Sequence, residues 1–134
     1  MKRWVLVTAV VAVAAAIGGY LLLRPASPGQ RARELLADPK QFTSTTSAYD
    51  SLVRAAELAA DEVARCRRDG GGSSCVGWGA AAAYARVGAA TVLQCTAPGR
   101  ERVRRQVAAY VAAVSEAVAG KKDVPEPEAP TTCR

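Results

Sequence analysis

The stretch AYDSLVRAAELAADEVARCRR, Ala48–Arg68, sets the fold class. Its Tyr49, Leu52, Ala56, Ala59, Val63 and Cys66 recur at alternating steps of three and four residues, the stripe of an amphipathic helix rather than the alternation of a strand. Asp50–Arg54 and Asp61–Arg65 are acid-to-base pairs four residues apart, worth about 0.3 kcal/mol each on a wet helix face. Ser47, three residues before Asp50, offers an N-terminal cap. Arg65, Arg67 and Arg68 close the helix where its dipole favours positive charge. Asp69-Gly70-Gly71-Gly72-Ser73-Ser74 then stops it.

Two further helices follow. Residues 76–95 are coated with Ala and Gly and carry a single charge, Arg86, so this helix is expected to be buried almost all round. Three helices would leave part of it bare, which implies a partner surface or cover from the tail. Trp78 and Tyr84 are expected in its core or rim. Ala97-Pro98-Gly99 breaks the chain, and a helix over 100–119 buries Val103, Val107, Tyr110, Val111, Val114, Ala117 and Val118, with Gly120 as its stop. The expected fold is all-α: a small up-down-up three-helix bundle over residues 47–120. Residues 25–46 read as a tether with a short helix at Gln30–Ala37, ended by Asp38-Pro39. Residues 121–134, rich in proline, read as an extended tail.

At the other end lies Trp4–Leu23 (WVLVTAVVAVAAAIGGYLLL), uncharged and flanked by Lys2-Arg3 and Arg24. As a helix it is about 30 Å long, the thickness of a bilayer's hydrocarbon core. Residues 1–24 are therefore expected to be a signal-anchor transmembrane helix. Cleavage near Ala16-Ile17-Gly18, giving a secreted protein, is the alternative, but it leaves Tyr20-Leu21-Leu22-Leu23 on the mature end. The flanking charges nearly balance, so the positive-inside rule does not set the orientation. The short basic start and the downstream cysteines point to a cytoplasmic N-terminus, with everything else outside. Val76–Ala97 imitates a second span, yet four Val/Leu residues do not offset Arg86 at about +3 kcal/mol.

In an exported domain the spacing Cys66, Cys75, Cys95, Cys133 reads as two disulfides, since it fits no C-x-x-C redox or zinc pattern. Antiparallel helices put Cys66 and Cys75 at one end of the bundle. Cys95 lies about 28 Å away along its helix. Bridged Cα atoms lie within about 7 Å, which leaves Cys66–Cys75 with Cys95–Cys133. The tail would then run back along the helices as a strap, and at the polyproline rise it covers roughly 40 Å.

The chain has no histidine and no asparagine, which removes Ser-His-Asp and Cys-His catalysis and histidine metal sites. Glu57, Asp61 and Glu62 read as a solvated acidic face. Lys2, Arg3 and Arg24 carry three of the 18 basic residues, so half of the +6 charge belongs to the membrane flanks and no nucleic-acid partner is implied. Abundant Ala, Arg, Val and Gly with few Lys suggest a GC-rich bacterial genome. Arg100, Arg102, Arg104 and Arg105 sit at a helix N-terminus, against its dipole. That makes them the candidate basic surface, placed by this topology at the membrane end against anionic headgroups. No metal, cofactor or catalytic residue is expected. The expected function is a membrane-anchored extracytoplasmic interaction or scaffold domain of the bacterial cell envelope, binding another envelope protein. The alternative is a binder of a small apolar ligand, lipid or haem, with Tyr49, Tyr84 or Tyr110 as the haem ligand.

Overall fold

The computed structural model describes residues 2–23, 25–128 and Cys133, with side chains of the first helix described from Trp4 to Gly19. Among these residues there are five α-helices and no strand: α1 (Lys2–Leu23), α2 (Pro28–Ala37), α3 (Thr45–Arg68), α4 (Gly77–Val92) and α5 (Ala97–Ala119). Short 3-10 turns at Pro39–Phe42 and Gly72–Val76 join α2 to α3 and α3 to α4.

The bundle has four helices, not three. α2 packs on α3, α3 on α4, α4 on α5 and α5 back on α2, closing a ring. The expected tether is thus mostly structure. Ser27 caps α2 by accepting from the Gln30 N–H, and Pro28 occupies the first turn, where its missing donor costs nothing. Ala32 and Leu36 fall four residues apart and are fully buried, with Phe42 from the next turn beside them in the core. The short helix begins two residues before the expected Gln30.

Direction follows from the cross-contacts. The Gly29 N–H donates to Glu62 Oε2 at 3.2 Å, so the start of α2 lies beside the end of α3. Arg100, at the start of α5, reaches the Thr45 hydroxyl at the start of α3. The chain therefore enters at the end formed by α3's C-terminus, runs to the far end along α2, and returns along α3. It then repeats the excursion with α4 and α5.

The caps differ from expectation for local reasons. Ser44, not Ser47, accepts from the third backbone donor of α3, while the Ser47 hydroxyl donates to the Gln41 carbonyl at 2.6 Å. Pro98 stands in the first turn of α5 instead of breaking the chain before it. The core is small-residue packing: Ala48, Ala55, Ala56, Ala59, Ala81, Ala85 and Ala89 are buried around Leu52, Val92, Val107, Val111 and Val114. Gly88 shows why. A Cβ there would stand 2.9 Å from Val107 Cγ2, so α4 and α5 approach at backbone distance.

Two disulfides close the molecule, Cys66–Cys75 with Cα atoms 5.7 Å apart and Cys95–Cys133 with Cα atoms 5.0 Å apart. The described part of the tail starts back from the entry end: Val124 covers Gly77, and the Pro125 carbonyl accepts from the Tyr110 hydroxyl at 3.0 Å. Residues 129–132 and 134 of the expected strap, and Arg24 of the expected flank, lie outside the described residues. Among the described residues the buried core cluster begins at Ala32 and includes none of α1. Among the described residues no helix is long and apolar enough to cross a membrane. The described side chains of α1 stop at Gly19, short of Tyr20–Leu23 in the expected span.

Candidate functional site

The four arginines singled out by their unfavourable position do not form one open patch. Arg104 is turned inward, with its side chain 10% exposed. Its Nη1 donates to the Leu36 carbonyl at 2.8 Å, and its Nε and Nη2 fork onto the Glu101 carboxylate. Leu36 lies in the last turn of α2, where carbonyls lack helical partners and the dipole is negative. Arg104 thus caps a neighbouring helix, which explains a charge that is misplaced for its own. Arg100 does similar work, reaching the Thr43 carbonyl, the Thr45 hydroxyl and the Cys95 carbonyl, although its buried Nε has no partner. Arg102 donates to the Cys133 carbonyl at 3.2 Å and so holds the tail. Arg105, exposed like Arg102, has 67% of its side chain in solvent and lies 3.6 Å from Glu101.

The expected site also changes ends. Along α5, Arg104 and Ala119 are about 22 Å apart. The chain enters beside Ala119, since Ser27 and Ala119 line one groove. The cluster therefore sits at the far end of the bundle, because α2 carries the chain the length of the domain before α3 begins.

The forked contact holds Glu101 below the usual glutamate range, mainly through the Arg104 hydrogen bond, and raises Arg104 in turn. A folded-state value below the unfolded one adds stability that is present at neutral pH and lost as pH falls through the folded value. Stability is accordingly expected to decline as pH drops below about 4.3. Glu101→Gln should flatten part of that decline, as read by urea unfolding at stepped pH.

The entry end holds a groove of about 630 Å³ between α2 and the C-terminal parts of α3 and α5. Buried Glu62 accepts from the Gly29 N–H and from Arg65 Nη1 at 2.8 Å, and Arg65 also faces Asp69. Gly29 is required there: a Cβ would meet the Trp78 ring at 2.6 Å. Arg33 donates across the groove to the Ser115 hydroxyl. Glu62, expected on a solvated face, is instead buried and is the anchor point of α2. Glu57 faces solvent near Arg54 and Asp61 is exposed, so Glu57, Asp61 and Glu62 do not converge.

Tyr84 and Tyr110 pack together, ring centroids 4.7 Å apart. Burial pushes both phenols up, and Glu128 adds to the effect at Tyr84. The Tyr110 hydroxyl is engaged with the tail and Tyr49 is partly exposed. Trp78 is buried as expected. No group of His, Cys, Asp and Glu among the described residues could hold a metal ion.

The outward face of α4 and its approach is the remaining feature. Val76 and Leu93 are 58% and 57% exposed, with Gly79, Ala83, Val87 and Ala90 open between them. No protein-family model matches the chain, and neither a curated protein nor a solved structure does.

Proposed function

We propose that the chain is a single-pass membrane protein that displays its helical bundle outside the cytoplasm. There it binds a partner protein of the bacterial cell envelope, with no chemistry of its own. The observation that carries this reading is the outward face of α4. It runs from Val76 to Leu93, keeps its Val and Leu side chains in solvent, and includes one charged residue, Arg86. The described part of the tail, through Glu128, covers Gly77 and the Tyr84–Tyr110 pair. Gly79, Ala83 and Ala90 let another backbone approach closely, and Val76, Val87 and Leu93 supply knobs. Such a face fits one apolar side of a partner helix.

The anchor rests on α1. Trp4, Val5, Leu6, Val7, Val10, Val11, Val13 and Ile17 point outward on every side of that helix and are mostly exposed. A helix apolar all round belongs in a protein core or a bilayer, and none of its described side chains joins the bundle core. The groove at the entry end sets Arg33, Glu34, Glu62, Arg65 and Asp69 beside Trp78 and Val118, and Glu62, Arg65 and Asp69 there serve structural pairs. This favours partner binding over a small apolar ligand.

A photo-crosslinking residue at Ala83 tests the reading in intact cells. One envelope protein is expected in the adduct, and Val87→Glu should abolish it. Recovery of uncrosslinked chain alone, or of a doubled chain alone, overturns the proposed partner.

A further inference from the structure

The connection between α1 and the bundle is short and firmly held. Four residues separate Leu23 from Pro28, which span at most about 18 Å. The bundle side of that connection is fixed by the Ser27 cap and by the Gly29–Glu62 bond. Whatever surface α1 is embedded in, the entry end of the bundle is held within about 18 Å of it.

That end is basic in an unusual way for this molecule. At the far end Arg100 and Arg104 are consumed by carbonyls and a carboxylate. At the entry end Arg65 is held between Glu62 and Asp69. Arg67, Arg68, Lys121 and Lys122 are exposed, and none makes an ion pair among the described residues. The two arginines suit the C-terminal dipole of α3, which explains their helix position but not the lysines. Lys121 and Lys122 are fixed to the bundle: Lys121 N–H returns to the Val118 carbonyl and Lys122 N–H to the Ala117 carbonyl at 2.8 Å. Lys121 accepts a left-handed backbone, φ 51°, to make this turn. The loop Gly70–Ser74, uncharged and without large side chains, lies beside the lysines and lines a hollow of about 330 Å³ with them. Asp123 is the nearest opposing charge in the tail.

We propose that this end of the bundle rests on the membrane surface, with Arg67, Arg68, Lys121 and Lys122 against anionic lipid headgroups. The inference depends on the anchor reading of α1. It reassigns headgroup contact from the far-end arginines to the end where the chain enters. Each basic side chain near such a surface strengthens attraction about fivefold, falling off within about 8 Å in physiological salt. A connection of this length keeps the four side chains near the headgroup layer. The α4 face, parallel to the bundle axis, would then stand upright from the membrane and remain open along its length.

The lysines provide the test, because Lys40 lies in the Pro39–Phe42 turn at the other end of α2 and serves as an internal reference. The full chain is reconstituted in vesicles of phosphatidylcholine, alone or with phosphatidylglycerol, and labelled with a membrane-impermeant amine reagent. Labelling of Lys121 and Lys122 relative to Lys40 is expected to fall about fivefold with the anionic lipid and to recover in high salt. Arg67→Gln with Arg68→Gln should weaken the protection. A ratio that ignores lipid composition, or protection of Lys40 instead, overturns the proposal while leaving the anchor intact. Loss of the chain from vesicles in an alkaline wash overturns the anchor, and this inference with it.

Discussion

Replacing Cys95 and Cys133 together with alanine is expected to lower the unfolding free energy by about 4 kcal/mol. The loop-entropy relation gives about 3.9 kcal/mol for a separation of 38 residues, against about 2.7 for the nine-residue separation of Cys66–Cys75. The tail adds to the difference. Once released at Cys133, it is no longer obliged to keep Val124 on Gly77 or Pro125 on the Tyr110 hydroxyl. A core built so largely of alanine buries little apolar area per residue, so such a loss is a large share of a typical 5–15 kcal/mol total. Urea unfolding of the two double variants checks the ranking. An equal or reversed order would mean that the tail does not act as a strap.

Arg104→Ala is expected to destabilise the bundle by about 3 kcal/mol. The guanidinium satisfies the Leu36 carbonyl and both oxygens of Glu101 while almost out of solvent. Its removal leaves an orphan acceptor at the end of α2 and a carboxylate without its main partner. Arg104→Lys keeps the charge but not the fork, and should fall between wild type and alanine. Arg105→Ala removes an exposed charge on the next residue and should cost less than about 1 kcal/mol. The contrast between positions 104 and 105 is the measurement that matters, since sequence gives no reason to separate them. Comparable losses at both would show that the cluster acts through net charge.

The helices of the bundle were legible because their apolar steps repeat over many turns. α3 and α5 bury the residues their periodicity names, apart from Tyr49, Val63 and Val118, which stay partly open at the rim. The elimination that pairs the cysteines needs only that α4 hold Cys75 and Cys95 apart, and a fourth helix does not alter that. α2 was harder to read. Its start, Pro-Ala-Ser-Pro-Gly, has the composition of a linker, and two buried side chains in ten residues give a weak period. Its docking depends on a hydrogen bond from Gly29 to Glu62, 33 positions away, which no local pattern announces. With α2 unplaced, the entry end was assigned to the wrong side of the domain and the arginines followed it. Their inward turn was equally invisible, because charge along one helix does not reveal which carbonyls a neighbouring helix leaves unpaired. The hydroxyl run Ser44-Thr45-Thr46-Ser47 offers several equivalent cap frames. The Gln41 carbonyl, by engaging Ser47, selects among them.

The order of the four cysteines along the chain has a consequence in time. In a chain that emerges outside the cytoplasm from the proposed anchor onward, Cys66 and Cys75 appear nine residues apart and have only each other to oxidise with. By the time Cys95 appears, that choice has been made. Cys95 must then wait 38 residues for Cys133, while α5 forms and lays the tail back along α4. Sequential emergence leaves each thiol one partner, so correct pairing needs no sorting among alternatives. A bundle refolded from the fully reduced chain has no such schedule and is expected to mispair more often than one oxidised as it is exported.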